Sequence, residues 1–202
     1  VIINPAPVAS FTYSAVACQG GNITFTDTSN PNGGTITGWS WNFGNGQTSN
    51  ASNPVINFPT PGNYDVTLIV TNSNGCVDTV LQTISINPPP VANAGANQVI
   101  CLGGTATLIA SGGVTYNWLP GGQTTDVINV SPSSNTVYTV IVTDANGCTD
   151  TATVNVNVNP LPVINVSPDQ SICAGQSATL TATGATSYTW SRTDPARCTC
   201  LR

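Results

Sequence analysis

Hydrophobic and polar residues alternate in short runs along the chain, as in Ile23-Thr24-Phe25-Thr26, Tyr64 to Val70, Tyr138 to Val142 and Thr153 to Val158. A period of two sends successive side chains to opposite faces of a strand, and no stretch carries the three-to-four spacing of an amphipathic helix. Asn-Gly, Gly-Gly and Pro-Gly pairs break the runs at roughly eight- to twelve-residue intervals, where turns need such residues. The pattern predicts an all-β protein built as sandwiches.

The chain also repeats itself. NPAPV at Asn4, NPPPV at Asn87 and NPLPV at Asn159 are 83 and 72 residues apart, and Cys18, Cys101 and Cys173 keep the same two intervals. Two independent markers in one register point to tandem modules. A second cysteine closes NSNGC at Cys76 and DANGC at Cys148, again 72 apart. The expected division is a closing strand of another module in residues 1–4, modules at 5–87 and 88–159, and part of a third at 160–190. Residues 191–202 lie outside the repeat, with all three Arg and two crowded Cys. The NPxPV phrases read as Pro-stiffened linkers that set modules end to end.

Composition narrows the chemistry. The chain has no His, Met, Glu or Lys, which removes the imidazole base, the Schiff-base amine and the usual metal ligand, and weighs against an enzyme. Only 5% of residues are charged, against roughly 25% in ordinary soluble proteins, so uncharged Thr, Asn and Ser must carry solubility. The net charge of -5 excludes a basic nucleic-acid footprint and a polybasic membrane surface. No apolar run approaches the ~20 residues of a membrane span. Seven Cys without a CxxC pair indicate an oxidising, extracellular or cell-surface setting.

Trp41-Asn42-Phe43-Gly44-Asn45-Gly46, followed by Pro61-Gly62-Asn63-Tyr64-Asp65-Val66-Thr67-Leu68-Ile69-Val70-Thr71-Asn72, resembles the polycystic-kidney-disease (PKD) domain, an immunoglobulin-like sandwich. The likeness covers most of residues 5–87, with Asn42 and Asn45 where that family usually has Asp. The second module keeps Tyr116-x-Trp118 and Tyr138 to Asp144 and is similar to a divergent relative. The third keeps Tyr188-x-Trp190. Strings of such modules ending in NGC are similar to large secreted Bacteroidota adhesins of the gliding-motility-associated type. The resemblance implies tandem PKD-type sandwiches in a non-enzymatic extracellular stalk or adhesive array. Its partners would be neighbouring modules and a surface polysaccharide or protein. The alternative is a carbohydrate-binding accessory region of a secreted hydrolase.

Several residues then acquire candidate roles. By analogy with the central Trp of such sandwiches, Trp41, Trp118 and Trp190 are expected in the cores. Trp39, beside the longer loops of the first module, is the candidate for stacking on a sugar. No cofactor is expected. A structural Ca²⁺ would have to use Asn42, Asn45, Asn50 and Asp65, for which turn-forming amides are the default reading. With two cysteines in each complete module, the expected bridges are Cys18 to Cys76 and Cys101 to Cys148, each worth about 4 kcal/mol on the chain-entropy model; buried thiols are the alternative. The Bacteroidota resemblance also implies O-glycan acceptors at Thr79 and Thr151, whose other reading is as outward-facing strand residues.

Overall fold

In the computed structural model, residues 3–190 are described, and their regular structure is strand throughout. The first sandwich uses β1 (Phe11–Tyr13), β2 (Asn22–Asp27), β3 (Ile36–Asn42), β4 (Thr48–Ser49), β5 (Val55–Asn57), β6 (Gly62–Asn72) and β7 (Val77–Ile86). One sheet has the order β1-β2-β5 and the other β4-β3-β6-β7. The period of two does the sorting. In β6, Val66, Leu68 and Val70 point inward and are fully buried, while in β2 Ile23 and Phe25 do the same from the opposite sheet.

Trp41 and Phe43 stack in the middle of this core with ring centroids 5.8 Å apart. Phe11 meets Trp41 edge-on at 5.2 Å, and Phe25 touches Phe43 at 5.0 Å. The Trp41 indole N–H donates to the Ala51 carbonyl at 2.9 Å, so the ring is buried without an unpaired polar atom.

The second sandwich repeats the plan with less edge. Its strands are β8 (Gln98–Cys101), β9 (Ala106–Ile109), β10 (Thr115–Leu119), β11 (Val127–Val130), β12 (Thr136–Thr143) and β13 (Thr149–Asn159). They form sheets ordered β10-β12-β13-β8 and β11-β9. Trp118 occupies the place of Trp41, fully buried, with its indole N–H given to Thr125 O at 3.1 Å. Each module has its own apolar cluster, one around Trp41 and one around Trp118.

One pairing sets the ends of each module. β13 runs parallel to β8, with Asn159 opposite Cys101. The first module has the same arrangement in shorter form, with Cys18 opposite Asn87 in a parallel bridge. The cysteine that precedes the second strand therefore lies at the pole where the last strand finishes.

The third repeat departs from expectation. Its described strands are β14 (Asn165–Val166) and β15 (Ala182–Thr183), which pair with each other. Trp190 was expected in a core but is 55% exposed. Among the described residues there is no second sheet after Asn159 to close over the ring. Ile3 is exposed and lies in no strand. The rest of the expected closing strand, residues 1–2, and the tail at 191–202 lie outside the described residues.

Candidate functional site at the module junction

The junction is built from a hairpin, a linker and a strand end. Between β12 and β13 the chain turns through Asn146 and Gly147, and Gly147 has φ +83°, a left-handed conformation that a side chain disfavours. The Asp144 carboxylate Oδ1 accepts the backbone N–H groups of Asn146 at 2.9 Å and Cys148 at 2.8 Å. The first module repeats this with Asn72, whose Oδ1 accepts from Asn74 and Cys76. A side-chain acceptor four residues ahead thus fixes each NGC cysteine at the tip of a rigid hairpin.

That tip meets the linker. Cys148 Sγ lies 4.0 Å from Asn87 O, and Asn87 is held between Ala17 and Gln19: its N–H donates to Ala17 O, and its own carbonyl accepts from Gln19 N, both at 2.8 Å. Cys18 and Cys148 are therefore brought together across the junction and form a disulfide, with Cα atoms 5.6 Å apart. Val16 stands beside the same turn; a Cβ added at Gly147 would come within 3.2 Å of Val16 Cγ2.

This corrects the expected pairing of Cys18 with Cys76 and of Cys101 with Cys148. Cys18 sits where β7 ends and Cys76 where β7 begins. The ten residues of β7, at ~3.3 Å each, put about 33 Å between the two poles, far beyond the ~7 Å Cα limit of a disulfide. The eleven residues of β13, about 36 Å at ~3.3 Å each, divide Cys101, at its end, from Cys148, just before its start. Cys76 and Cys101 are free thiols.

A second fastening escaped the sequence reading. Asp78 Oδ2 accepts the backbone N–H of Ala9 at 2.8 Å, and Asp150 Oδ2 accepts that of Ala92 at 3.0 Å. Ala9 and Ala92 follow the NPxPV phrases, so each aspartate ties an incoming linker to its own module. The hydrogen bonds from Ala9 and then Thr79 hold the Asp78 carboxyl below its ordinary value of 3.8. Those from Ala92 and then Thr151 do the same for Asp150. The signal was the Asp-Thr pair repeated at 78–79 and 150–151, two residues after each NGC cysteine.

The remaining candidates are dispersed. Trp39 shares the inward face of β3 with Trp41 but is only partly buried against the core, and its indole N–H donates to Asp27 Oδ2 at 2.7 Å. Thr79 and Thr151 are exposed strand residues. The residues considered for Ca²⁺ do not fit that ion. Asn42 Oδ1 accepts from Gly44 N and Asn45 Oδ1 from Gln47 N. Asp65 Oδ1 takes the Thr83 hydroxyl at 2.6 Å, and Asn50, with its amide turned to satisfy both atoms, donates to Trp39 O and Ser49 O. Ca²⁺ asks for six to eight oxygens, and those of Asn42, Asn45 and Asp65 already serve turns and a strand contact.

Comparison with known proteins places the first module. Residues 4–86 match the PKD domain family. Over 105 residues, 52% of this chain, the sequence is 36% identical to the pre-pro-metalloprotease PrtV of Vibrio cholerae serotype O1 (strain M66-2), of which the match covers 11%. Over 89 residues, 43% of this chain, it is 35% identical to the microbial collagenase of Vibrio alginolyticus, again 11% of that protein. The crystal structure of the PKD1 domain from Vibrio cholerae metalloprotease PrtV is 38% identical, with a TM-score of 0.38 over 41% of this chain and 99% of that domain. The chain thus spans only a small part of the length of these curated relatives.

Proposed function

We propose that this chain is a non-enzymatic stretch of an extracellular or cell-surface repeat protein, a stalk or adhesive array that carries load and sets distance. The observation that carries the reading is the Cys18–Cys148 bridge. A covalent tie between consecutive modules does nothing for catalysis, yet it limits how far the chain can lengthen under tension. A pull applied to both ends crosses from Cys18 to Cys148 through the bridge, so β2 to β12, which hold Trp41 and Trp118, are bypassed, while β1 and β13 carry the load. Persistent disulfides also belong to oxidising compartments, in keeping with the secreted setting of PKD modules. The likeness of the NGC-ended strings to gliding-motility-associated adhesins supports a surface location. The partners are then neighbouring modules and a surface polysaccharide or protein.

Single-molecule stretching tests the load-bearing role. Full reduction is expected to add roughly 450 Å to the greatest extension, from residues 19–147 at about 3.5 Å each. Equal extension with and without reductant would remove the mechanical reading.

A second reading, an accessory region that holds polysaccharide for a secreted hydrolase, draws on the similarity to a pre-pro-metalloprotease and a microbial collagenase and on the partial exposure of Trp39. Trp39→Ala distinguishes the two. Under the stalk reading, retention on insoluble glycan in a pull-down does not change. Loss of retention at an unaltered melting temperature would favour the accessory role.

A further inference from the structure

Among the described residues the junction occurs once in full and twice in half. At Asn87 the parts come together: Cys18 lies beside Asn87 on the strand pole, Cys148 Sγ lies 4.0 Å from Asn87 O on the hairpin side, and the two sulfurs are joined. At Asn4 only the hairpin half exists, with Cys76 Sγ 3.7 Å from Asn4 O. At Asn159 only the strand half exists. Cys101 pairs with Asn159, and Leu102 N donates to Asn159 O at 2.8 Å, as Gln19 N does to Asn87 O.

The apolar and steric parts follow the same division. Val16 touches Gly147 at the complete junction, whereas a Cβ at Gly75, the counterpart of Gly147, would meet nothing within 4 Å. Val99, the counterpart of Val16, is 62% exposed, against 50% for Val16 itself. Cys148 is buried and its counterpart Cys76 half-buried; Cys18 is half-buried and its counterpart Cys101 exposed. Beside Cys101, a depression of about 430 Å³ is lined by Leu102, Asn135, Val158 and Pro160, among others.

We infer that Cys76 and Cys101 are the open halves of this same inter-module bridge, each taking a cysteine of an adjoining module of the same type. Cys101 takes the NGC cysteine of a module docked at Asn159. Cys76 takes the cysteine before the second strand of a module docked at Asn4. The inference rests on the tandem-array reading and adds a rule to it: every bridge spans a junction, and no bridge lies inside a module. Two cysteines at opposite poles then make each module a link that is fastened at both ends.

The chemistry is thiol–disulfide exchange with an oxidised low-molecular-weight disulfide such as oxidised glutathione. The Cys101 thiolate attacks one glutathione sulfur, breaking its S–S bond and releasing one glutathione thiolate. The incoming NGC thiolate then attacks Cys101 Sγ in the mixed disulfide, forming the protein S–S bond and expelling the second glutathione. The two cysteine thiols lose two protons and two electrons, and both end on two reduced glutathiones.

The test extends the chain. Residues 1–159 are followed directly by a second copy of residues 88–159, so that Asn159 stands where Asn87 stood. The product is refolded with reduced and oxidised glutathione. The chain 1–159 has four cysteines and one bridge, hence two thiols. The extended chain has six cysteines and is expected still to titrate two thiols, with peptide mapping joining Cys101 to the appended copy of Cys148. Cys101→Ser should raise that copy's thiol to the reactive pool without unfolding the module. A protease-resistant appended copy with four thiols, or Cys101 joined to any other cysteine, would overturn the inference and leave the array reading intact. An appended copy that stays protease-sensitive would instead overturn the array reading itself.

Discussion

Trp118 and Trp190 occupy one position in two repeats, each two residues after a tyrosine, yet Trp118 is fully buried and Trp190 is 55% exposed. Their immediate surroundings are built alike. Tyr116 OH donates to Gly113 O at 2.9 Å and Tyr188 OH to Ala185 O at 2.7 Å. Gly112 and Gly184 both have φ above +100°, and a Cβ at either would run into the backbone of the linker, at Val91 or Val163. What differs is the hairpin of β12 and β13 and the facing β9 and β11, which close over Trp118 alone. The local loop is thus made by nearby residues, whereas burial of the ring is supplied by strands distant in sequence.

The largest effect that would test this contrast comes from the rings themselves. Trp118→Ala is expected to cost the second module about 3–5 kcal/mol, as buried aromatic truncations do, while Trp190→Ala should stay within about 0.5 kcal/mol, as for an exposed position. Urea unfolding followed by hydrogen exchange over residues 88–159 and 160–190 measures both. A comparable loss for Trp190→Ala would break the comparison, because it would require a core around that ring.

A smaller effect is expected from the bridge. Cys148→Ser should lower the stability of the two complete modules by about 2–4 kcal/mol, the usual worth of a disulfide closing a long loop. Exchange in residues 160–190 should not respond, since Cys173 is unpaired. Native exchange rates with and without reductant give the same comparison, and equal sensitivity in both regions would contradict it.

The smallest effect concerns the linker clamps. Asp78 and Asp150 have carboxyls held below 3.8 by backbone N–H donors. The folded state therefore binds these protons less readily than the unfolded chain. The clamps contribute fully above the ordinary carboxylate range, and the contribution is lost as the pH falls through the lowered folded values. Asp150→Asn should flatten this acid limb for the second module and leave that of the first, which depends on Asp78. Denaturation midpoints between neutral and strongly acidic pH would show it; an unchanged acid limb in the second module would mean that the clamp does not bear on folding.

Much of the fold was legible in residues close together in the chain. The alternation in Tyr64 to Val70 marks β6 because period two is a property of neighbouring side chains. Gly147 after Asn146 marks the hairpin because the left-handed turn is local, and parity puts Tyr116 and Trp118, like Trp39 and Trp41, on one face of a strand, with the inward side taken from the analogy with other sandwiches. The disulfides were misread because pairing by module treats cysteines as if a module had no length. The unbroken run from Val77 to Ile86 already separated Cys76 from the far pole by a full strand, but the place of Cys18 at that pole depends on its parallel pairing with Asn87, which no pattern in the chain encodes. Asp78 and Asp150 were missed for a related reason, since their partners Ala9 and Ala92 are 69 and 58 residues away.

The sequence by itself determined the all-β class, the strands and turns, the repeat register and the absence of His, Glu and Lys chemistry. Each of these follows from composition or from the geometry of a few consecutive residues. The tertiary structure alone decided which cysteines meet, which tryptophan is covered and which aspartates hold the linkers. These depend on distances between strands of different sheets and modules, and side-chain alternation records the face on which a residue lies but not the pole it reaches.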